Sequence, residues 1–408
     1  MNSDQEKIIG RFFMPGENAT ELMATWDESV ESFPGVDNIL FIQDEFIIKY
    51  GKMGDLTDDS IKTVIDDKNN LVKDELLLMF LWHCATFFST VTADNKHEKL
   101  AAIPQLDEAL PKLYGNFFIL LVLAGFPTAI ELHESKQLPA SVMTATLKDL
   151  NIWVEQYQRE LGITGLTHRI FGWMQGHLNG GLFKIGRLQF NYPFLMDSGI
   201  MAFKHKITGA LQLLSAADIR YNRSGLIDGI NEIWDKTEHW VSTVNETETA
   251  ISGNPINAAG SAEKQVIKLE FKEWDRVLNE GDEVLNIHIP AGEPMTPEAC
   301  SESFEQARLF FSKYFPDYNF KAFVCFSWLL DSQFEHILKP TSNILKFQHL
   351  GRIWPMNGES EAIYRIFGQQ AQKNGIDTVP HVSSMQRAIA EFVHAGGVLR
   401  NGGFLLIK

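Results

Sequence analysis

The segment Glu283–Asp331, EVLNIHIPAGEPMTPEACSESFEQARLFFSKYFPDYNFKAFVCFSWLLD, constrains the fold more than any other. It reads in order as strand, Gly/Pro turn, helix and strand, the pattern of a crossover between parallel strands. In the first strand, side-chain alternation puts Leu285, Ile287 and Ile289 on one face and Val284, Asn286 and His288 on the other. The turn Pro290-Ala291-Gly292-Glu293-Pro294 ends it. Thr296-Pro297-Glu298 then supplies an N-cap, a proline at the first helical position and a first-turn acid. Cys300, Phe304, Ala307, Phe311 and Tyr314 recur at spacings of three and four, so this helix presents an apolar stripe to a sheet. The run Ala322–Leu330 is nearly continuous in apolar residues and predicts a strand buried on both faces. In such sheets ligands sit beyond the carboxyl ends of the strands.

At 408 residues the chain is long enough for two or three domains. The net charge of −16 disfavours nucleic acid and anionic membrane as partners, since both need a basic footprint. Three widely spaced cysteines, Cys84, Cys300 and Cys325, fit neither a disulfide framework nor a metal site, which predicts a cytoplasmic home and no metal. Met1–Gly10 is polar and acidic, without a signal-peptide pattern. Phe117–Phe126, the longest apolar run, is too short to span a bilayer of about 30 Å and reads as a core helix.

Residues 1–180 read as a mostly helical domain. Thr57 precedes Ile61, Val64 and Ile65, and the runs Lys73–Thr90, Pro111–Leu123 and Pro139–Leu161 have helical periods. Asn38–Tyr50 fits helix or strand. Residues 181–408 read as α+β, with strands at Gly186–Tyr192, Asp218–Tyr221, Val266–Phe271, Ile344–Gln348 and Phe404–Ile407. Gly402-Gly403 reads as a turn and Asn245–Lys264 as a loop or long hairpin.

The order strand (GRLQF), strand (VIKLEF), strand (EVLNIHIP), helix, strand (FKAFVCFSWLLD), helix (SQFEHIL), strand (NILKFQ) resembles the core of a GNAT acyltransferase. The words LFKIGRLQF, GDEVLNIHIPAG, FKAFVCFSWLLD and SNILKFQ are similar to those of a bacterial N-acyltransferase family. That family pairs a helical N-terminal domain with a GNAT-like C-terminal domain, a mixed sheet with flanking helices. The resemblance implies acyl transfer from acyl-coenzyme A to a small-molecule, amine-type acceptor. It places the pantetheine arm along Asn286, Ile287 and Ile289, and the diphosphate on the turn and helix start at Ala291, Gly292 and Thr296. The usual phosphate loop (Gln or Arg, two residues, Gly, one residue, Gly or Ala) is absent from this turn. Pro294 and Pro297 lack amide donors, and Glu293 and Glu298 add negative charge.

His288 is the expected general base, since an imidazole takes a proton near neutral pH; the structural alternative is a histidine satisfied between sheet and helix. Ser327 and Asp331, on one face if the strand stays extended, would polarise a thioester carbonyl or hold the amine. Alternatively Ser327 bonds backbone and Asp331 caps the next helix. Arg187 and Gln189 form a polar stripe with Asn191 that reads as acceptor-binding or as a solvated face. A second functional reading is a non-catalytic GNAT-like protein that binds a small molecule or a partner.

Overall fold

The computed structural model describes residues 3–92, 95–107, 109, 110, 113–197 and 199–408. Met1, Asn2, Pro111 and Lys112, in two of the segments read above, lie outside the described residues. The chain divides into two compact units, one comprising Met1–Ile185 with Pro290–Gly292 and the other Gly186–Ile289 with Glu293–Lys408.

The first unit is helical because its apolar residues recur on helical faces. Thr57 caps Asp58–Leu71 by accepting from the Ser60 amide, and Asp74 caps Glu75–Phe88 through the Leu77 amide. Helix α1 (Tyr114–Ser135) contains the long apolar run and extends it to 22 residues, long and apolar enough to cross a membrane. It is nevertheless a core helix, with Phe117 through Leu123 buried. Helices α2 (Asp149–Leu161) and α3 (His168–Leu178) follow, and Phe118 of α1 stacks on Phe171 of α3 at 5.1 Å. The ambiguous segment Asn38–Tyr50 resolves into short 3-10 turns and a helix, Asp44–Met53.

The second unit is built on a mixed sheet. Its strands are β1 (Leu188–Leu195), β2 (Glu283–His288), β3 (Ala322–Ser327), β4 (Arg352–Pro355) and β5 (Gly402–Ile407), in the order β1-β2-β3-β5-β4. Only β2 and β3 run parallel among these pairs, as the helix between them requires. That helix, α4 (Pro297–Tyr314), is capped by Thr296 and lays Phe304 against Phe190 and Phe323. On the other side Val284, Val324 and Leu405 join one core with Ile200 and Leu213, which belong to a second, antiparallel sheet.

Three local readings need correction. Asn343–Gln348 is a helix rather than a strand, capped by Ser342 and buried through Leu345 and Phe347; a six-residue apolar run does not distinguish the two by periodicity. Gly402 and Gly403 open β5 instead of making a turn. A Cβ on Gly403 would lie 2.1 Å from the Trp354 indole, so close approach rather than chain reversal explains this glycine. Strand β3 ends at Ser327, and a 3-10 turn at Trp328–Leu330 separates it from Asp331. Ser327 and Asp331 therefore do not share an extended strand face.

Candidate functional site

The site forms where β2 and β3 part. Their parallel ladder pairs Val284 with Ala322, Leu285 with Phe323 and Asn286 with Val324, and stops there. Both strands continue, β2 to His288 and β3 to Ser327. Each keeps its outer neighbour: Ile287 and His288 pair with Phe190 and Gln189 of β1, while Cys325 and Ser327 pair with Phe404 and Gly402 of β5. The result is a splay that opens toward the carboxyl ends.

A bulge prepares it. The β1–β2 register shifts between Val284 and Asn286, and Tyr318 fills the irregularity. Its hydroxyl accepts from the Phe194 amide at 3.0 Å and stands within donating distance of the Phe194 and Val284 carbonyls, at 2.9 and 2.6 Å. Nothing in the spacing around PDYNF marks this role, because the partners are 34 and 124 residues away.

Four of the expected residues converge at the splay. His288 is half-buried and sits opposite Gln189 in register. Asn286, two residues earlier on the same face, is buried; its Nδ2 lies 3.4 Å from His288 Nε2, a long contact between the two side chains. The Asn286 Oδ1 atom is buried without a hydrogen-bond partner among the described residues, which a folded interior tolerates rarely. Arg187 precedes Gln189 by two residues, and both are buried rather than solvated, at 7% and 1% exposure.

Arg187 is positioned by Gly186 and α4. Gly186 adopts φ +61°, and a Cβ there would meet Ser303 Oγ at 2.6 Å. This approach lets the Arg187 amide donate to Ser303 Oγ at 2.7 Å, while Ser303 donates to the Ala299 carbonyl. Burial pushes the Arg187 guanidinium below its ordinary range, opposed by the nearby Cys300 and Glu293. Burial also lifts the Cys300 thiol to about 11 and the Cys325 thiol to about 12, so both are inert as nucleophiles.

The other expected residues stand elsewhere or are already engaged. Ile287 is a core residue and Ile289 is half-buried. Ala291 and Gly292 are exposed, and Gly292 takes a φ of +109° that suits glycine alone. Thr296 Oγ1 accepts from the Ala299 amide as the cap of α4. Ser327 Oγ accepts from the Leu329 amide at 3.1 Å. Asp331 is buried and accepts from the amides of Gln333 and Arg400 at 3.0 and 2.8 Å; burial raises its pKa. Its partner Arg400, more than one hundred residues from Arg187 and Gln189, was not legible as part of any site.

Comparison with known proteins bears on this arrangement. Residues 182–405 match the family model for the GNAT-like C-terminal domain, and residues 54–180 match that for the N-acyltransferase N-terminal domain. No curated protein matches the chain. Among solved structures, an acyltransferase in complex with decanoyl-CoA and teicoplanin aligns at TM-score 0.61 and 19% identity, covering 95% of each chain. A mutant acyltransferase in complex with octanoyl-CoA aligns at TM-score 0.62 and 20% identity, covering 99% of each. At these identities the likeness concerns the fold.

Proposed function

The chain belongs to the family of the GNAT-like C-terminal domain, and from that premise we propose that it transfers an acyl group from acyl-coenzyme A to a small-molecule amine. The observation that carries the reading is the interrupted ladder at Asn286 and Val324, with a buried, unmatched amide oxygen beside it. An amide-bearing arm laid along β2 takes up hydrogen bonds that β3 no longer offers. The Asn286 Oδ1 atom is a ready acceptor for an N–H of such an arm. The structurally similar acyltransferases were solved with acyl-coenzyme A, one of them with teicoplanin as well, which supports both the donor and a small-molecule acceptor.

In the reaction the acceptor nitrogen attacks the thioester carbonyl carbon, the C–S bond breaks, and the thiolate leaves. His288 takes the proton that the nitrogen sheds and returns a proton to the departing sulfur. Gln189, opposite His288, and the buried Arg187 line the acceptor side. Thr296 and the N-terminus of α4 would meet the diphosphate. The missing phosphate loop predicts weak grip on that end, leaving pantetheine and acyl chain to supply most of the affinity.

Calorimetry of the full chain with acetyl-coenzyme A and octanoyl-coenzyme A tests the reading, together with thiol release in the presence of primary amines. Binding of the longer thioester and amine-dependent release are expected. No heat with either thioester at millimolar concentration overturns it and leaves the non-catalytic alternative.

A further inference from the structure

We propose that the second unit carries another ligand site, distinct from the splay and independent of the acyl-transfer reading, which takes small organic anions built on a planar ring. A cavity of about 490 Å³ lies between the segment Asn222–Thr237 and the stretch from Phe392 to Arg400 that leads into β5. That is room for a molecule the size of a substituted aromatic acid or a sugar phosphate.

The charge is decided by which polar groups remain open. Both carboxylates in the wall are committed. Asp228 accepts from Arg220 Nε at 2.6 Å and the Asp235 amide at 2.7 Å. Asp235 accepts from Arg223 Nε at 3.0 Å and from Thr237 and Glu238 amides. Arg223 is spent in the same cluster, with a further bond to Thr237 Oγ1. What remains are donors. Arg400 lines the cavity at 7% exposure; Nη1 donates to the Ile227 carbonyl, but its buried Nε has no hydrogen-bond partner among the described residues. Asp331 and Asp228 lend the guanidinium opposite charge, but Asp331 does not bond Nε, since its oxygens receive the Arg400 amide and Gln333. Lys236 adds an exposed ammonium at the rim. A guanidinium N–H left dry and unmatched favours an anionic oxygen strongly.

The ring is decided by Trp234. Its indole lines the cavity half-exposed; a Cβ on Gly229 would approach it within 2.5 Å, and the Arg220 guanidinium lies 5.0 Å from its centroid. Packed against these two groups, the indole has already lost much of its freedom, and its exposed part offers apolar surface to a ring.

Titration of the full chain with phenyl phosphate and with benzoate, using phenol as the neutral counterpart, tests the site and ranks phosphate against carboxylate. At least one anion should bind, with phenol weaker by about tenfold or more. Trp234→Ala and Lys236→Glu, both at exposed positions, should each weaken the bound anion several-fold, and Arg400→Gln should abolish binding. Asn286→Leu should leave it unchanged. Absence of binding by both anions at millimolar concentration, phenol binding as tightly as the anions, or full affinity in both rim variants would overturn the proposal. So would loss of binding in Asn286→Leu, which would place the anion at the splay.

Discussion

Asp149 in the helical unit and Asn286 in the sheet unit are buried on opposite terms. Asp149, at the start of α2, receives Trp153 Nε1 at 2.8 Å and Trp173 Nε1 at 3.1 Å, with His177 Nε2 at 3.0 Å. Burial raises the Asp149 pKa, yet His177 and the two indoles outweigh it and hold the carboxylate below its usual range. His83 is bound by Ser29 Oγ and the Leu22 carbonyl, each at 2.8 Å. In the sheet unit Asn286 keeps an open acceptor beside an interrupted ladder. Asp149, with its partners present, holds the scaffold; Asn286, with an unmatched oxygen beside an interrupted ladder, reserves a place for a ligand.

The sharpest test of this contrast is His288→Ala. Turnover should fall by about two to four orders of magnitude while the fold, followed by circular dichroism, is kept. Unchanged turnover would remove His288 from the chemistry and break the comparison at its functional end.

The corresponding test in the helical unit is Asp149→Ala. It strands His177 and two indole N–H groups in a dry interior, and the expected cost is about 3–5 kcal/mol in urea unfolding. A variant with wild-type stability would show that the network is not the scaffold its geometry describes.

Much of this contrast was legible in the sequence at one end only. The Thr296 cap, the prolines and the apolar stripe fixed α4, because those signals act within a few residues. Alternation placed Asn286 and His288 on one face for the same reason. The splay follows from the family resemblance alone and not from the residues themselves, since it depends on where the β2–β3 ladder stops and on Tyr318 reaching across 34 residues to Val284. The burial of Arg187 depends likewise on Ser303, 116 residues on. Asp331 shows the reverse: a carboxylate after an apolar strand reads as chemistry or as a cap, and only its bond to the Arg400 amide displays the structural use.

Acid provides a smaller test. Burial lowers the pKa of His83 and of His133 to about 4, and neither ring nitrogen of His133 has a hydrogen-bond partner among the described residues. A folded value below the unfolded 6.5 means that the native state binds fewer protons. The stabilisation is complete above pH 6.5 and is lost as pH falls toward 4. Each shift corresponds to about 3 kcal/mol at its limit. His133→Leu should flatten the decline of urea stability between pH 6.5 and 4, and an unchanged slope would mean that other groups drive it.

Asn286→Leu makes the finest distinction between the two kinds of burial. The substitution removes both polar atoms of a buried side chain at similar size, so an amide with an unmatched oxygen should leave stability unchanged or slightly higher. The pantetheine acceptor would be lost, and KM for the acyl thioester should rise by about tenfold, near the worth of one buried hydrogen bond. A clear loss of urea stability instead would show that Asn286 is held by the fold as Asp149 is. The two side chains would then be buried by one rule, and the splay would lose its strongest mark as a ligand site.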